Sequence, residues 1–220
     1  GTIESAGLDA EMTGRISDAG EINGAASGRL SRPLELGGAV FRRATFTADI
    51  TGAIEAPRID ANLSDADMSV AGTDISDVSG RATFVMGEAL TGDFAFTGDM
   101  LGQRLRTTGD IASGEGDTRI NNFVADLGQL RARATRLSFG EDGVVATFTA
   151  IGPLAGLAGI QGGALTLTGD VTMGETLDAK IAGNIADLRS GAARIDLIAF
   201  EGKADNDRVN LTANVRGRVP

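Results

Sequence analysis

The stretch 165–173, LTLTGDVTM, alternates apolar and polar residues at every position. Its first phase holds leucine, glycine, valine and methionine, and its second phase holds threonine and aspartate. A β-strand turns successive side chains to opposite faces, so this pattern predicts a strand with one apolar face. The same alternation recurs along the chain and decides the fold class. It recurs at 44–54, 82–86, 90–100, 130–134, 177–185 and 209–217.

Turn-forming residues separate these runs. Gly87-Glu88, Gly174-Glu175 and Asp142-Gly143, which follows Gly140-Glu141, are typical of tight connections between antiparallel strands. Roughly 14 strands at a spacing of about 8–12 residues indicate an antiparallel sheet of successive hairpins. We therefore expect an all-β chain with little or no helix.

One segment departs from the alternation. Leu154, Leu157 and Ala158 have helical spacing, but glycines interrupt them, so a short helix or a loop is expected there. This segment divides the chain into a β segment over 1–150, a link containing glycine and proline over 151–163, and a continuing β segment over 164–220.

Composition excludes several classes of function. The 220 residues carry a net charge of −10, which argues against a nucleic-acid partner because phosphate binding needs a basic surface. The chain has no histidine, cysteine or tyrosine, so the Ser–His and Cys–His nucleophile systems cannot be built. We expect neither an enzyme nor a cofactor or metal site.

An apolar sheet face must be covered by something, and no amphipathic helix is available to cover it. Two arrangements stay open: a sandwich or barrel that fills its own core, and a curved trough that holds an external apolar molecule. Glycines in the apolar phase favour strong curvature and predict small notches beside larger side chains. They are Gly52, Gly92, Gly98, Gly109, Gly169, Gly183 and Gly217.

Two stretches carry a resemblance to a known family. Residues 52–63, GAIEAPRIDANL, followed by 70–84, VAGTDISDVSGRATF, are similar to a recurring strand pair of the TamB family of AsmA-like and YdbH-like periplasmic proteins. Residues 152–169, GPLAGLAGIQGGALTLTG, resemble that family's link into a new strand. Together the stretches cover about a third of the chain.

The resemblance implies a long antiparallel, strongly curved sheet that forms an open hydrophobic groove shaped like a taco. It also implies a periplasmic bridge segment that conducts phospholipid between the inner and outer membranes and aids outer-membrane protein assembly. The inner-membrane anchor and the contact with an outer-membrane barrel of the TamA type are expected outside this internal fragment.

Phospholipid acyl chains would contact the side chains of the apolar phase. The candidate groove lining is Phe46, Ile50, Phe84, Met86, Phe94, Phe96, Phe148, Leu165, Leu167, Val171, Met173, Ile181, Val209 and Leu211.

Two other interpretations remain open at this point. The chain could be a structural spacer or adhesin-like domain with a self-filled core, or a chaperone-like module that pairs a client strand with its sheet edge. Arg104, Arg106, Arg131, Arg133 and Arg136 form a basic set that could meet lipid headgroups, although a solvated strand face explains such a set equally well.

Overall fold

Antiparallel strands account for most of the residues that the structure, a computed structural model, describes. Those residues are 2–5, 7–36, 39–70, 72–114, 116–140, 143–157 and 159–218. They contain sixteen strands, more than the rough sequence count, and no helix. The chain divides into an N-terminal unit, Gly1–Gly114, and a C-terminal unit, Glu115–Pro220. The expected all-β, antiparallel class is confirmed.

The N-terminal unit is a meander in which each strand pairs antiparallel with the next. The exception is β4, which pairs with residues 39–41 at the start of β5, whereas β3 pairs with residues 45–53 of that strand. The strands are β1 (Thr2–Ser5), β2 (Leu8–Ile16), β3 (Glu21–Leu30), β4 (Leu34–Leu36), β5 (Ala39–Ala53), β6 (Arg58–Val70), β7 (Thr73–Met86), β8 (Leu90–Met100) and β9 (Gln103–Ser113).

The C-terminal unit continues the same hairpin order. Its strands are β10 (Asp117–Leu127), β11 (Leu130–Gly140), β12 (Gly143–Pro153), β13 (Gly162–Met173), β14 (Leu177–Ser190), β15 (Ala193–Asp205) and β16 (Val209–Arg218). Gly140 and Gly143 pair directly across the expected hairpin, whose Glu141 and Asp142 lie outside the described residues.

The segment with helical spacing forms a turn rather than a helix. The amide of Leu157 donates to the carbonyl of Leu154, and that of Ile160 donates to the carbonyl of Leu157. Leu154 and Leu157 are buried, whereas Ala158 lies outside the described residues. This turn closes the hairpin of β12 and β13 within the C-terminal unit, so the expected boundaries at 150 and 164 do not coincide with the division between the units.

Bulges interrupt the alternation at one level of three neighbouring strands. The register shifts near Arg43 in β5, near Asp65 in β6 and near Asp77 in β7. Asp65 and Asp77 adopt left-handed backbone with φ of 49° and 51°, a region that aspartate tolerates better than most residues. A bulge inserts one residue into its strand, so these shifts interrupt the regular alternation of faces in all three strands.

The buried core is small and lies at this line of bulges. Ala44, Ala66 and Val78 are buried there, and half-buried apolar residues pack around them. No large side chain in the described ranges is fully buried. Most of the apolar surface therefore lies on the sheet faces rather than inside a sealed core.

Candidate apolar binding face

Strand register places the N-terminal candidates on one face. Phe46, Leu63, Gly80 and Phe96 lie opposite one another in turn across β5 to β8. Directly opposite residues of an antiparallel pair share a face. The same pairing and the alternation along each strand put the other candidates of this unit on that face. They are Ile50, Phe84, Met86 and Phe94.

The C-terminal candidates also share one face of their unit. Phe148 lies opposite Gly169, Gly169 opposite Ile181, Ile181 opposite Gly202, and Gly202 opposite Leu211. Large side chains and glycines thus alternate across five strands. The remaining candidates follow from neighbouring register rows on the same face. They are Leu165, Leu167, Val171, Met173 and Val209.

None of the fourteen candidates is buried. Ten are half-buried, and Met86, Met173, Leu211 and Val209 are exposed, with Val209 at 80% of its full accessible area. These side chains pack against their neighbours in the sheet but keep one side open. The described part of the chain therefore does not seal this apolar face.

The notches expected at the glycines are filled from the next strand. Six of the nine phenylalanines lie directly opposite a glycine, and in the closest cases the ring covers the glycine. A Cβ at Gly28 would lie 2.6 Å from Cε1 of Phe46, and one at Gly183 would lie 2.9 Å from Cζ of Phe200. Within the set predicted to leave notches, the prediction is wrong at Gly92, Gly169 and Gly183, because an aromatic ring over a cross-strand glycine restores the missing packing. The pairs are Gly28–Phe46, Gly80–Phe96, Gly92–Phe84, Gly109–Phe94, Gly169–Phe148 and Gly183–Phe200.

The N-terminal unit carries an apolar cleft on this face. The cleft has a volume of about 270 Å³, and strands β5 to β9 all contribute to it. Its lining is almost wholly apolar: Phe41, Leu63, Met68, Ile75, Val78, Phe96, Thr97, Gly98, Leu105 and Thr107. Of the fourteen candidates predicted from the sequence, only Phe96 lies in this lining.

Three of the other lining residues, Phe41, Met68 and Ile75, were missed because the bulges shift the alternation. Apolar residues step by three positions rather than two at Leu63–Ala66 and at Ile75–Val78, and Asp65 or Asp77 precedes the second residue of each step. Ile120–Phe123 and Ile185–Leu188 repeat the step, and the intervening Asn122 and Asp187 also adopt positive φ. The sequence signal for these bulges is therefore a pair of apolar residues three positions apart, with aspartate or asparagine immediately before the second of them.

Ion pairs cover the polar face. The guanidinium of Arg58 donates two hydrogen bonds of 2.8 Å to Asp60, and the hydroxyl of Thr83 donates a third. These bonds lower the pKa of Asp60 below its ordinary value, with the Arg58 hydrogen bond as the largest cause. Within the basic set, Arg131 is bound to Asp126 and Arg104 to Asp99, so part of its charge is neutralised.

Two structural features are absent from the described residues. No group of three or more histidine, cysteine, aspartate or glutamate side chains in them is arranged to hold a metal ion. No helix in them has the length and apolar character needed to cross a membrane.

The fold and the site define an antiparallel all-β protein of successive hairpins, in which each of the two units has an unsealed apolar face. No protein-family model matches the chain, and neither a curated protein nor a solved structure matches it. The resemblance to the TamB family accordingly stays a prediction from the sequence.

Proposed function

We propose that this chain shelters and conducts phospholipid by holding acyl chains against its apolar β face. One observation carries this proposal. Within each unit the apolar candidates share one face, and none of the fourteen is buried. Exposed apolar surface on this scale marks a site that contacts another apolar molecule. The contact needs no specific chemistry, because burying each methylene of an acyl chain contributes about 0.8 kcal/mol.

We further propose that the face is the inside of a curved, open groove. The cleft shared by β5 to β9 supports curvature toward this face in the N-terminal unit. The glycines opposite phenylalanines support it in both units, because a side chain on each strand would crowd a concave surface. The bulges at Asp65 and Asp77 add local bending.

The setting of this groove follows from the sequence resemblance alone. On that basis we place the chain in the periplasm as a non-enzymatic segment between the inner and outer membranes. A membrane anchor and the contact with an outer-membrane barrel of the TamA type would belong to parts of the protein outside these residues. A role in outer-membrane protein assembly is proposed on the same basis.

Two measurements on the purified protein test the lipid contact. Mass spectrometry of the native protein should detect co-purified phospholipid. A photo-reactive phenylalanine analogue at Phe96 or Leu167 should crosslink to that lipid. The same analogue at Ala95 or Thr168, the adjacent residues on the opposite face, serves as the matched control and should not crosslink.

The same experiment separates the other interpretations. Protein without bound lipid, and without lipid crosslinks at Phe96 and Leu167 after incubation with phospholipid vesicles, would favour a structural spacer and overturn the proposal. Crosslinks to a polypeptide, obtained from backbone-edge positions rather than from the apolar face, would favour strand addition to a client protein.

A further inference from the structure

The apolar cleft of the N-terminal unit lies between two cross-strand rows of residues. One row, across β5 to β7, is Phe41, Met68 and Ile75, and the other, across β6 to β9, is Leu63, Gly80, Phe96 and Thr107. Two smaller lining residues, Val78 and Gly98, lie between the rows along β7 and β8. The cleft is therefore a narrow trough that runs across the strands. Since neighbouring strands are about 4.8 Å apart, a trough lined by five strands is on the order of 15–20 Å long.

No charged side chain is among the residues that line the cleft. Of its two threonines, Thr97 turns its hydroxyl to the opposite sheet face, where it accepts a hydrogen bond of 2.7 Å from Arg104. The Thr107 hydroxyl is thus the one polar side-chain group of the lining that shares a face with Phe96. Because burying a charged group without partners is costly, this lining suits a hydrocarbon chain and excludes a lipid headgroup.

The walls of the cleft belong to the packed part of this unit. Val78 is buried and forms the core with Ala44 and Ala66. Met68 and Ile75 pack against that core. Elsewhere on the apolar face, the candidate side chains are half-buried or exposed. A cleft with packed walls exists before its ligand arrives, so binding does not have to order those side chains.

The volume of the cleft limits what it can hold. An apolar cavity of about 150 Å³ binds one benzene molecule. On that scale, a cleft of about 270 Å³ has room for on the order of ten carbon atoms. This amount of hydrocarbon corresponds to one segment of a single acyl chain, and a narrow trough accommodates one chain better than two chains side by side.

We propose that this cleft is a discrete site for one acyl-chain segment of about ten carbons; this inference rests on the proposed lipid-binding function. The rest of the bound lipid would lie on the open part of the apolar face or in solvent. Methylenes inside the cleft would be surrounded by protein, whereas further methylenes would touch protein on one side only. The affinity for a hydrocarbon chain should therefore rise steeply with chain length and then flatten.

Isothermal titration calorimetry with a series of n-alkylphosphocholines tests this site. Each compound is titrated into the purified protein below its critical micelle concentration. In the wild type, the Kd should fall about four-fold for each added methylene up to about ten carbons, as expected for full burial. Beyond that length it should fall about two-fold or less per methylene, since only one side of the chain is buried.

Thr107→Phe should remove the steep part of this dependence, because the added ring occupies the cleft beside Phe96. Thr108→Phe is the matched control, since Thr108 is the next residue of β9 and is exposed on the opposite face. Ala179→Phe adds the same ring to the apolar face of the C-terminal unit. Both controls should keep the wild-type dependence, and thermal unfolding should show that all three variants are folded.

Photo-methionine locates the bound chain in the protein without a cleft-filling substitution. This diazirine analogue replaces all five methionines, of which Met68 lines the cleft and Met173 is exposed on the apolar face of the C-terminal unit. Decylphosphocholine should crosslink to Met68 at a lower concentration than to Met173. Peptide mass spectrometry would identify the crosslinked methionines.

The outcomes separate this inference from the function beneath it. A constant change in Kd per methylene across the series, or crosslinks at Met68 and Met173 at the same concentration, would overturn the single-chain site and leave the apolar face intact. An unchanged dependence in Thr107→Phe, or an equal loss in Ala179→Phe, would also overturn it, because the cleft would then not be the cause. A wild type that binds no chain of any length would overturn both proposals.

Discussion

Phe148 lies directly opposite Gly169 across β12 and β13, and its ring covers the glycine: a Cβ at position 169 would lie 2.5 Å from Cζ of Phe148. The ring can lie flat on the sheet only because the facing residue has no side chain. The glycine therefore allows an aromatic ring to cover the sheet without projecting far from it. Gly28–Phe46 in the N-terminal unit has the same arrangement.

Replacing Gly169 by valine should displace the Phe148 ring and destabilise the protein. Inserting side-chain volume into a packed site costs about 1–3 kcal/mol, since neighbours must leave their preferred conformations. Urea unfolding followed by circular dichroism would measure the loss. Gly114→Ala is the control, because a Cβ there meets no atom within 4 Å. Equal stability of Gly169→Val and wild type would show that the ring does not need the glycine.

The carboxylate of Asp67 joins the three bulged strands of the N-terminal unit. Its Oδ2 atom lies 2.9 Å from the guanidinium of Arg43 in β5, and its Oδ1 atom accepts a hydrogen bond of 3.2 Å from the amide of Asp77 in β7. Asp77 is the residue with left-handed backbone in its bulge. Asp67 thus holds neighbouring bulges at one level of the sheet.

Asp67→Ala should lower the free energy of unfolding by about 1–2 kcal/mol, because it removes one charge-assisted hydrogen bond to backbone and one ion pair. Chemical denaturation would give this value. Asp74→Ala is the matched control: Asp74 binds Arg42 of β5 in a more exposed ion pair and contacts no bulge amide in the described residues. If both variants lose the same small amount, the link to Asp77 does not contribute.

The alternation of residues such as 165–173 was sufficient to predict strands and their faces, because both follow from local periodicity. The antiparallel order was predicted from the turn residues and the short spacing between the strands. The packing of Phe148 on Gly169 could not be predicted in the same way. It depends on register between strands, which a single strand does not encode. The cleft lining at Phe41, Met68 and Ile75 was missed for another reason: a bulge adds one residue and reverses the phase that strict alternation assigns.

Leu211→Asp should reduce protein-bound lipid with little effect on stability. Leu211 is 66% exposed on the apolar face, and exposed substitutions usually change stability by less than about 0.5 kcal/mol. An aspartate at position 211 would still disfavour the binding of an acyl chain, since the bound chain would bury an unpaired charge. Lipid mass spectrometry and thermal unfolding should be measured together.

Thr212→Asp provides the comparison for Leu211→Asp, since Thr212 is the next residue of β16 and is exposed on the opposite face. It should leave the amount of bound lipid unchanged. Marked unfolding of Leu211→Asp would indicate a closed core instead of an open face. Equal lipid loss in both variants would indicate a general effect of negative charge.

The bond between Arg58 and Asp60 should make a pH-dependent contribution to stability. The pKa of Asp60 is lowered in the folded protein from its ordinary value of 3.8, first by the Arg58 hydrogen bond and then by Thr83. A lowered folded-state pKa stabilises the folded state at pH values above the unfolded pKa, and this stabilisation is lost as the pH falls through the folded pKa. The difference in unfolding free energy between wild type and Arg58→Gln should therefore be greatest near neutral pH and shrink below about pH 4.

Urea unfolding across that pH range would measure this difference. Arg81→Gln is the control, because Arg81 lies on β7 without an ion pair in the described residues. A difference for Arg58→Gln that stays constant down to acidic pH would show that the stabilisation does not come from the ionised carboxylate of Asp60.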